Sequence, residues 1–452
     1  MPLPERTRLR PERKTTMRQV TINNAHATAV GSDASVEAVE AGRATEGGTN
    51  LLGEQMGART RLYTVDMLRG LVMVIMALDH VRDFFHVYAK SFDPLDPTKT
   101  WTALFFTRWV THFCAPTFVF LAGTGAFLST RRGKTRPELA RFLLTRGLWL
   151  IVLEVTLVRF GWLFNFDYHF LFLQVIWAIG WSMIVLAGLV FLPSRVIAAA
   201  GLALIFLHNT LDGVRSASFG SLRWLWVLLH EQNVLVPRPG FFWLSAYPLI
   251  PWVGVMAVGY AFGELLTLER ERRRRILFRL GGACVVLFVV LRALNVYGDP
   301  TPWAPQGRGA WFTFLSFLNT QKYPPSLLFL LMTLGPSIIA LALFDRAEGR
   351  EGGALARPFI VFGRVPMFYY LLHVPLMHLV ALAFAYAKYG RAEWLFMNFA
   401  LPGQPPLEPP GYGYDLWVVY LIWLGVVAAL YPLCRWFAGV KSRRRDAWLS
   451  YF

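Results

Sequence analysis

Between Asp66 and Tyr88 the chain reads DMLRGLVMVIMALDHVRDFFHVY, an apolar stretch that carries Asp66, Arg69, Asp79, His80, Arg82, Asp83 and His86. An ionised group at the centre of a membrane helix costs roughly 2.5–3.5 kcal/mol on insertion scales, so a cluster of them points to function. At about 100° per residue, Asp79, Arg82, Asp83 and His86 fall on one stripe. Such a face must look into a helix bundle or a water-filled cavity. His80 lies off the stripe but one turn before Asp83. A carboxylate beside an imidazole raises its basicity and fixes its tautomer, as a general base requires. His80, Asp79, Asp83 and His86 are therefore catalytic candidates, and Arg82 is a substrate-binding candidate able to offset acidic charge or a developing oxyanion. The structural alternative is an ion-pair cluster at the membrane boundary with interfacial histidines. For Asp66 and Arg69 the structural reading, a helix start with snorkelling charge, comes first.

The elements that position these groups must be membrane helices. Of 452 residues 55% are hydrophobic and 15% aromatic, with a mean hydropathy of +0.42, the composition of a polytopic membrane protein. The net charge of +17 falls in short basic runs between apolar segments, so it reports topology and implies no nucleic-acid partner. Cys114, Cys284 and Cys434 sit singly in apolar segments, so neither a disulfide framework nor a zinc site is expected, and the chain is read as needing no metal. It shows no phosphate loop or nucleophile elbow. Residues 1–60 read as a disordered cytoplasmic tail, 61–440 as one transmembrane domain and 441–452 as a short basic C-terminal tail.

Runs long enough to span a bilayer occur at about residues 66–88, 109–130, 142–163, 170–192, 195–211, 242–266, 277–297, 324–344, 358–388 and 415–438. The fold class is therefore all-α, an integral membrane bundle of about ten transmembrane helices. Leu222–Leu235 reads as an interfacial helix. With both termini inside, the cytoplasmic loops hold 22 Lys and Arg and the opposite loops and helix ends about 12. In that frame every histidine beyond His26 maps to the outer half or the middle of the membrane, which implies a polar cavity opening outward.

His112 begins the second span at the depth of the helix-one cluster and joins the catalytic candidates. Asp167 and His169, in NFDYHF before the fourth span, are substrate-binding candidates, although loop solvation explains them nearly as well. In the ninth span His373 and His378 lie about 140° apart on a helix, so they do not share a face, and His373 is preferred as a substrate-binding residue. Glu154 and Arg292 lie inside apolar segments with partners that spacing does not reveal. Gly259 and Gly263 form a GxxxG pair suited to close helix packing.

The motifs VDMLRG, ALDHVRDFFH, HFCAPTFVFLAG, PLIPWVGVMAVGYAFG and FGRVPMFYYLLH resemble those of bacterial membrane proteins related to heparan-α-glucosaminide N-acetyltransferase, over about residues 60–440. The resemblance implies a transmembrane acyltransferase bundle, acetyl-CoA or another acyl-CoA as co-substrate, and a histidine near the outer end of the first helix. In that setting His80, oriented by Asp79 or Asp83, would deprotonate a small-molecule or glycan acceptor or take the acyl group itself. The expected location is the inner membrane, with the lipid bilayer as surroundings and a homo-oligomer compatible with the sequence. The main competing reading is a proton-coupled transporter using the same Asp/His cluster. It would favour an inverted repeat, and none is visible. A haem-binding electron carrier would need facing histidines at two depths, whereas these bunch on one side.

Overall fold

The computed structural model describes residues 63–235, 238–346, 353, 355–398, 407–444 and 446–451. The expected tail at 1–60 lies outside the described residues. The architecture is helical. It comprises α1 (63–85), α2 (Thr102–Thr111), α3 (Cys114–Thr130), α4 (Arg136–Leu153), α5 (Arg159–Leu163), α6 (Val175–Leu189), α7 (Ser194–Leu207), α8 (Arg223–Leu229), α9 (Leu249–Phe262), α10 (Arg270–Leu294), α11 (Ala310–Leu318), α12 (Leu327–Arg346), α13 (Ala356–Arg364), α14 (Pro366–Tyr389) and α15 (Leu416–Arg443).

All ten expected spans contain helix, but among the described residues seven stretches are long and apolar enough to cross a membrane: Thr102–Thr130, Ser194–Leu211, Leu249–Thr267, Arg270–Leu294, Leu327–Asp345, Pro366–Tyr389 and Leu416–Arg443. The other three differ for physical reasons. Helix α1 carries five Asp and Arg residues, α4 is studded with Arg and Glu, and α6 has 15 residues. The second span starts at Thr102, earlier than expected, and breaks at His112–Phe113. The ninth divides at Val365, just before Pro366, which fits a first helical turn because its missing N–H would go unused there. Leu222–Leu235 is not one interfacial helix; it contains α8 and then a short strand.

A small sheet completes the frame. β1 (Phe170–Leu173) pairs in parallel with β3 (Phe242–Ser245), which pairs antiparallel with β2 (Asn233–Val234). The stretches expected to begin the fourth and sixth spans are thus strands, each leading into a helix.

Local chemistry explains several helix ends. Thr135 caps α4 in a reciprocal capping box with Glu138. The Glu269 carboxylate accepts from the Glu271 and Arg272 amides and caps α10. The Glu154 carboxylate lies at the N-terminus of α6 and accepts from the Gln174 and Trp177 amides at 3.3 and 3.2 Å. Arg292, 1% exposed, donates to the carbonyls of Phe317, Thr301, Ser316 and Asn319 and ties α10 to the chain around α11. Both groups lacked readable partners because most of those partners are backbone atoms.

The expected GxxxG contact packs α9 against α3. A Cβ on Gly259 would lie 2.2 Å from the Phe120 carbonyl oxygen, and one on Gly123 2.1 Å from that of Met256. Backbone cannot retreat as a side chain can. Gly259→Ala is therefore expected to destabilise the folded protein by about 1–3 kcal/mol through overpacking. Gly125→Ala on α3, where a Cβ meets nothing within 4 Å, should be near neutral. Thermal unfolding of the two variants in detergent checks the contrast, and equal melting temperatures would refute it.

Candidate active site

The charged end of α1 opens on a cavity of about 740 Å³. Asp79, His80, Arg82 and Asp83 line it together with Arg108 from α2, Cys114 from α3, Arg159 and Trp162 from α5, Phe170 and Phe172 from β1, and Lys322 and Tyr323 before α12. Five cations, Arg82, Lys90, Arg108, Arg159 and Lys322, face three carboxylates, Asp79, Asp83 and Glu408, so the wall carries a positive surplus.

The carboxylates are engaged by arginine. Arg82 Nη2 donates to Asp83 Oδ1 at 2.6 Å and to Asp79 Oδ1 at 3.2 Å, and Arg108 Nη1 pairs with Asp79 Oδ2. Charge-assisted bonds of this kind are the strong ones, and here they outcompete an imidazole. The expectation that Asp79 or Asp83 orients His80 is thereby overturned. His80 Nδ1 instead lies 2.8 Å from His373 Nε2 on α14. His373 Nδ1 is 2.6 Å from the Tyr370 carbonyl, to which it can only donate. Its Nε2 therefore accepts, so His80 Nδ1 carries the proton and His80 Nε2 the lone pair. Among the described residues that Nε2 has no hydrogen-bond partner. Trp162 meets the His80 ring edge-on at 5.0 Å and stacks on Phe84 at 5.3 Å, which holds the imidazole in place.

His373 comes to this position through the packing of α5 on α14. Gly161 lies against Pro375, where an added Cβ would be 3.1 Å from the ring, and its carbonyl accepts from His378 Nδ1 at 3.1 Å. Phe164 ends α5 with φ 45° and stacks on His378 at 4.0 Å.

The other sequence candidates lie off the cavity wall. His86 is not part of the α1 stripe that faces the cavity. The helix ends there, the backbone bridges to Tyr414, and the ring packs near Tyr88 and Trp101. His112 is buried at the break between α2 and α3 against Phe329. Asp167 and His169 pair with each other in the loop before β1, and the bonds from His169 hold the Asp167 carboxyl below the usual carboxylate range. Asp167 reaches the cavity indirectly, by accepting from wall residue Asn398 at 2.8 Å and through its backbone carbonyl, which Arg159 holds. His373 touches the site through His80 and does not line the cavity. The outward placement of the histidines implies a polar cavity, but of the histidines His80 alone lines this one among the described residues, and His208 and His230 lie together apart from it.

Sequence reasoning missed Arg108, Lys322, Tyr323 and Arg159. Arg108 was the most accessible of them, since it lies one turn before His112 and a lone arginine in an apolar run calls for an acidic partner.

Arg82 is 4% exposed, and its Nε and Nη1 are buried with no hydrogen-bond partner among the described residues. The site thus combines an imidazole lone pair with a positive wall that includes the Arg82 guanidinium, which suits proton removal from an acceptor and stabilisation of an oxyanion. No curated protein matches the chain. A family model for heparan-alpha-glucosaminide N-acetyltransferase, catalytic, matches residues 61–298, a stretch that holds α1 and the wall residues Asp79, His80, Arg82, Asp83, Arg108 and Arg159; with the membrane helices and this site, it shows that the chain belongs to that family.

Proposed function

We propose that the protein moves an acyl group, acetyl in the first instance, from cytoplasmic acyl-CoA to a sugar or other envelope acceptor. The observation that carries this reading is His80, held by His373 with its Nε2 lone pair unpaired in a cavity wall. His80 Nε2 takes the proton from the acceptor amine or hydroxyl as that atom attacks the thioester carbonyl, and the resulting imidazolium is stabilised by the His373 Nε2 acceptor. The Arg82 guanidinium in the cavity wall supplies positive charge beside the developing oxyanion. Collapse of the tetrahedral species expels the CoA thiolate, which is protonated by His80. In the variant with an acyl-histidine intermediate, the same Nε2 attacks first.

The arginine-rich loops would offer a complementary surface for the phosphates of CoA; the positive-inside bias supports a topology with these loops and both termini cytoplasmic, and the location proposed for the protein is the inner membrane. Membranes with and without the protein, incubated with radiolabelled acetyl-CoA, test the proposal. Protein-dependent label in envelope material supports it; its absence with acetyl-CoA and longer acyl-CoAs overturns it in favour of a proton-coupled carrier. His373→Phe is expected to slow transfer by about 10- to 100-fold, by analogy with the loss when the group orienting a metal-bound imidazole is removed. His373→Gln, whose amide oxygen can still accept from His80 Nδ1, should recover most of that loss. Initial rates of the two variants check the relation.

A further inference from the structure

A second histidine cluster lies where α7 ends. His208 opens the short turn that follows α7, Asp212 ends it, and His230 ends α8. One ligand atom from each of the three lies within 4.8 Å of the other two. His208 is 2% and His230 3% exposed, while the Asp212 side chain is 21% exposed and marks the open side.

Two observations separate this group from ordinary buried polar residues. Among the described residues neither ring nitrogen of the buried His208 has a hydrogen-bond partner, and a buried imidazole so placed calls for an explanation. The surroundings are also preorganised. Asn209 Nδ2 donates to Asp212 Oδ2 at 2.8 Å and leaves Oδ1 facing His230 Nε2 at 3.8 Å. Trp226 stacks on the His230 ring at 5.4 Å. A hydrogen bond to the carboxylate and a ring packed on the imidazole orient such side chains as metal ligands.

We propose that His208, Asp212 and His230 bind a divalent transition metal of the zinc class. Two imidazoles and one carboxylate are ligands that zinc accepts, with bonds of about 2.0–2.2 Å and a fourth position left for water on the Asp212 side. Tetrahedral bonds of that length need ligand atoms roughly 3.3 Å apart. The His230 Nε2 to Asp212 Oδ1 gap of 3.8 Å is already close, and small side-chain rotations close the rest. His230 Nε2 would give up its 2.8 Å contact with the His208 carbonyl if that nitrogen becomes the ligand. The ligand spacings, four residues and then eighteen, match no zinc motif, so the absence of such a motif in the sequence says little about a site assembled by folding.

The metal would act as a clasp rather than in acyl transfer. It would fasten α8, and with it the β2–β3 hairpin, to the end of α7. β3 pairs with β1, whose Phe170 and Phe172 form part of the cavity wall, and the Asn209 side chain also accepts from the Leu327 amide at the start of α12. Binding to the folded chain alone raises its stability with metal concentration.

Full-length protein in detergent, stripped with chelator and titrated with zinc against a chromophoric indicator, tests the site. One equivalent bound per chain, a rise in melting temperature of several degrees and slower hydrogen exchange over β2–β3 are the expected results. Asp212→Asn, which keeps the bond from Asn209 and sits at the open side, should bind zinc at least about 10-fold more weakly with the melting temperature of the metal-free protein unchanged. His230→Gln provides a second variant should either substitution reduce folding. No zinc-dependent shift, or equal binding by wild type and Asp212→Asn, overturns the proposal and leaves a water-filled polar cluster.

Discussion

His80→Asn should leave a folded membrane protein that transfers acyl groups about 10²- to 10⁴-fold more slowly, the usual contribution of a positioned general base. Asparagine isolates the relevant atom. Its amide N–H can stand where His80 Nδ1 stands and still donate to His373 Nε2, whereas nothing replaces the Nε2 lone pair. The packing against Trp162 changes little, because His80 is partly exposed to the cavity and is not wedged into the core. The measurement is the initial rate of label transfer at saturating acyl donor, normalised to folded protein. A rate within 2- to 3-fold of wild type would sink the assignment of His80, whatever the fate of the family membership. A stopped reaction without acceptor separates the two chemical routes: label retained on wild-type protein and lost in His80→Asn indicates an acyl-histidine, and label on neither indicates direct attack assisted by the base.

The geometry behind this prediction was only partly legible in the sequence. The polar stripe on α1 was, because charge in an apolar run has a cost that few residues can offset. Arg82, Asp79, Asp83 and His80 do share a cavity. Helix periodicity could also place Gly259 in a close contact, and hydrophobic runs located the bundle. The partner of His80 was not legible, because it lies 293 residues away and is brought in by the packing of α5 on α14. Proximity along α1 suggested Asp83 instead. That inference lacks Arg108 and gives too little weight to Arg82, whose guanidinium groups take the carboxylates first. His86 was misplaced for a simpler reason: the angular argument assumes that the helix continues, and α1 stops at residue 85. The spans at 170–192 and 242–266 look uniform in sequence because an apolar strand and an apolar helix differ little over four residues.

Asp79→Asn is the substitution expected to cost most in stability, about 3–5 kcal/mol, because it removes one partner of a buried charge cluster and keeps the shape of the side chain. Asp79 is 9% exposed and is held by two arginines, Arg82 and Arg108. Without its charge, Arg82 retains Asp83, but Arg108 loses the only carboxylate it pairs with among the described residues. The expected outcome is a melting temperature many degrees lower and a reduced folded fraction. If uncompensated charge is the cause, Arg108→Met in the same chain should restore much of the loss by removing the orphan cation and keeping an apolar stem of similar length. A double variant no more stable than Asp79→Asn alone would point to lost geometry around His80 rather than to electrostatics. The pair also tests the role of Asp79 in transfer. His80 is held by His373 and not by a carboxylate, so the folded double variant should keep a larger share of its rate than His80→Asn does. A double variant as inactive as His80→Asn would return Asp79, or the cation it holds, to the reacting centre.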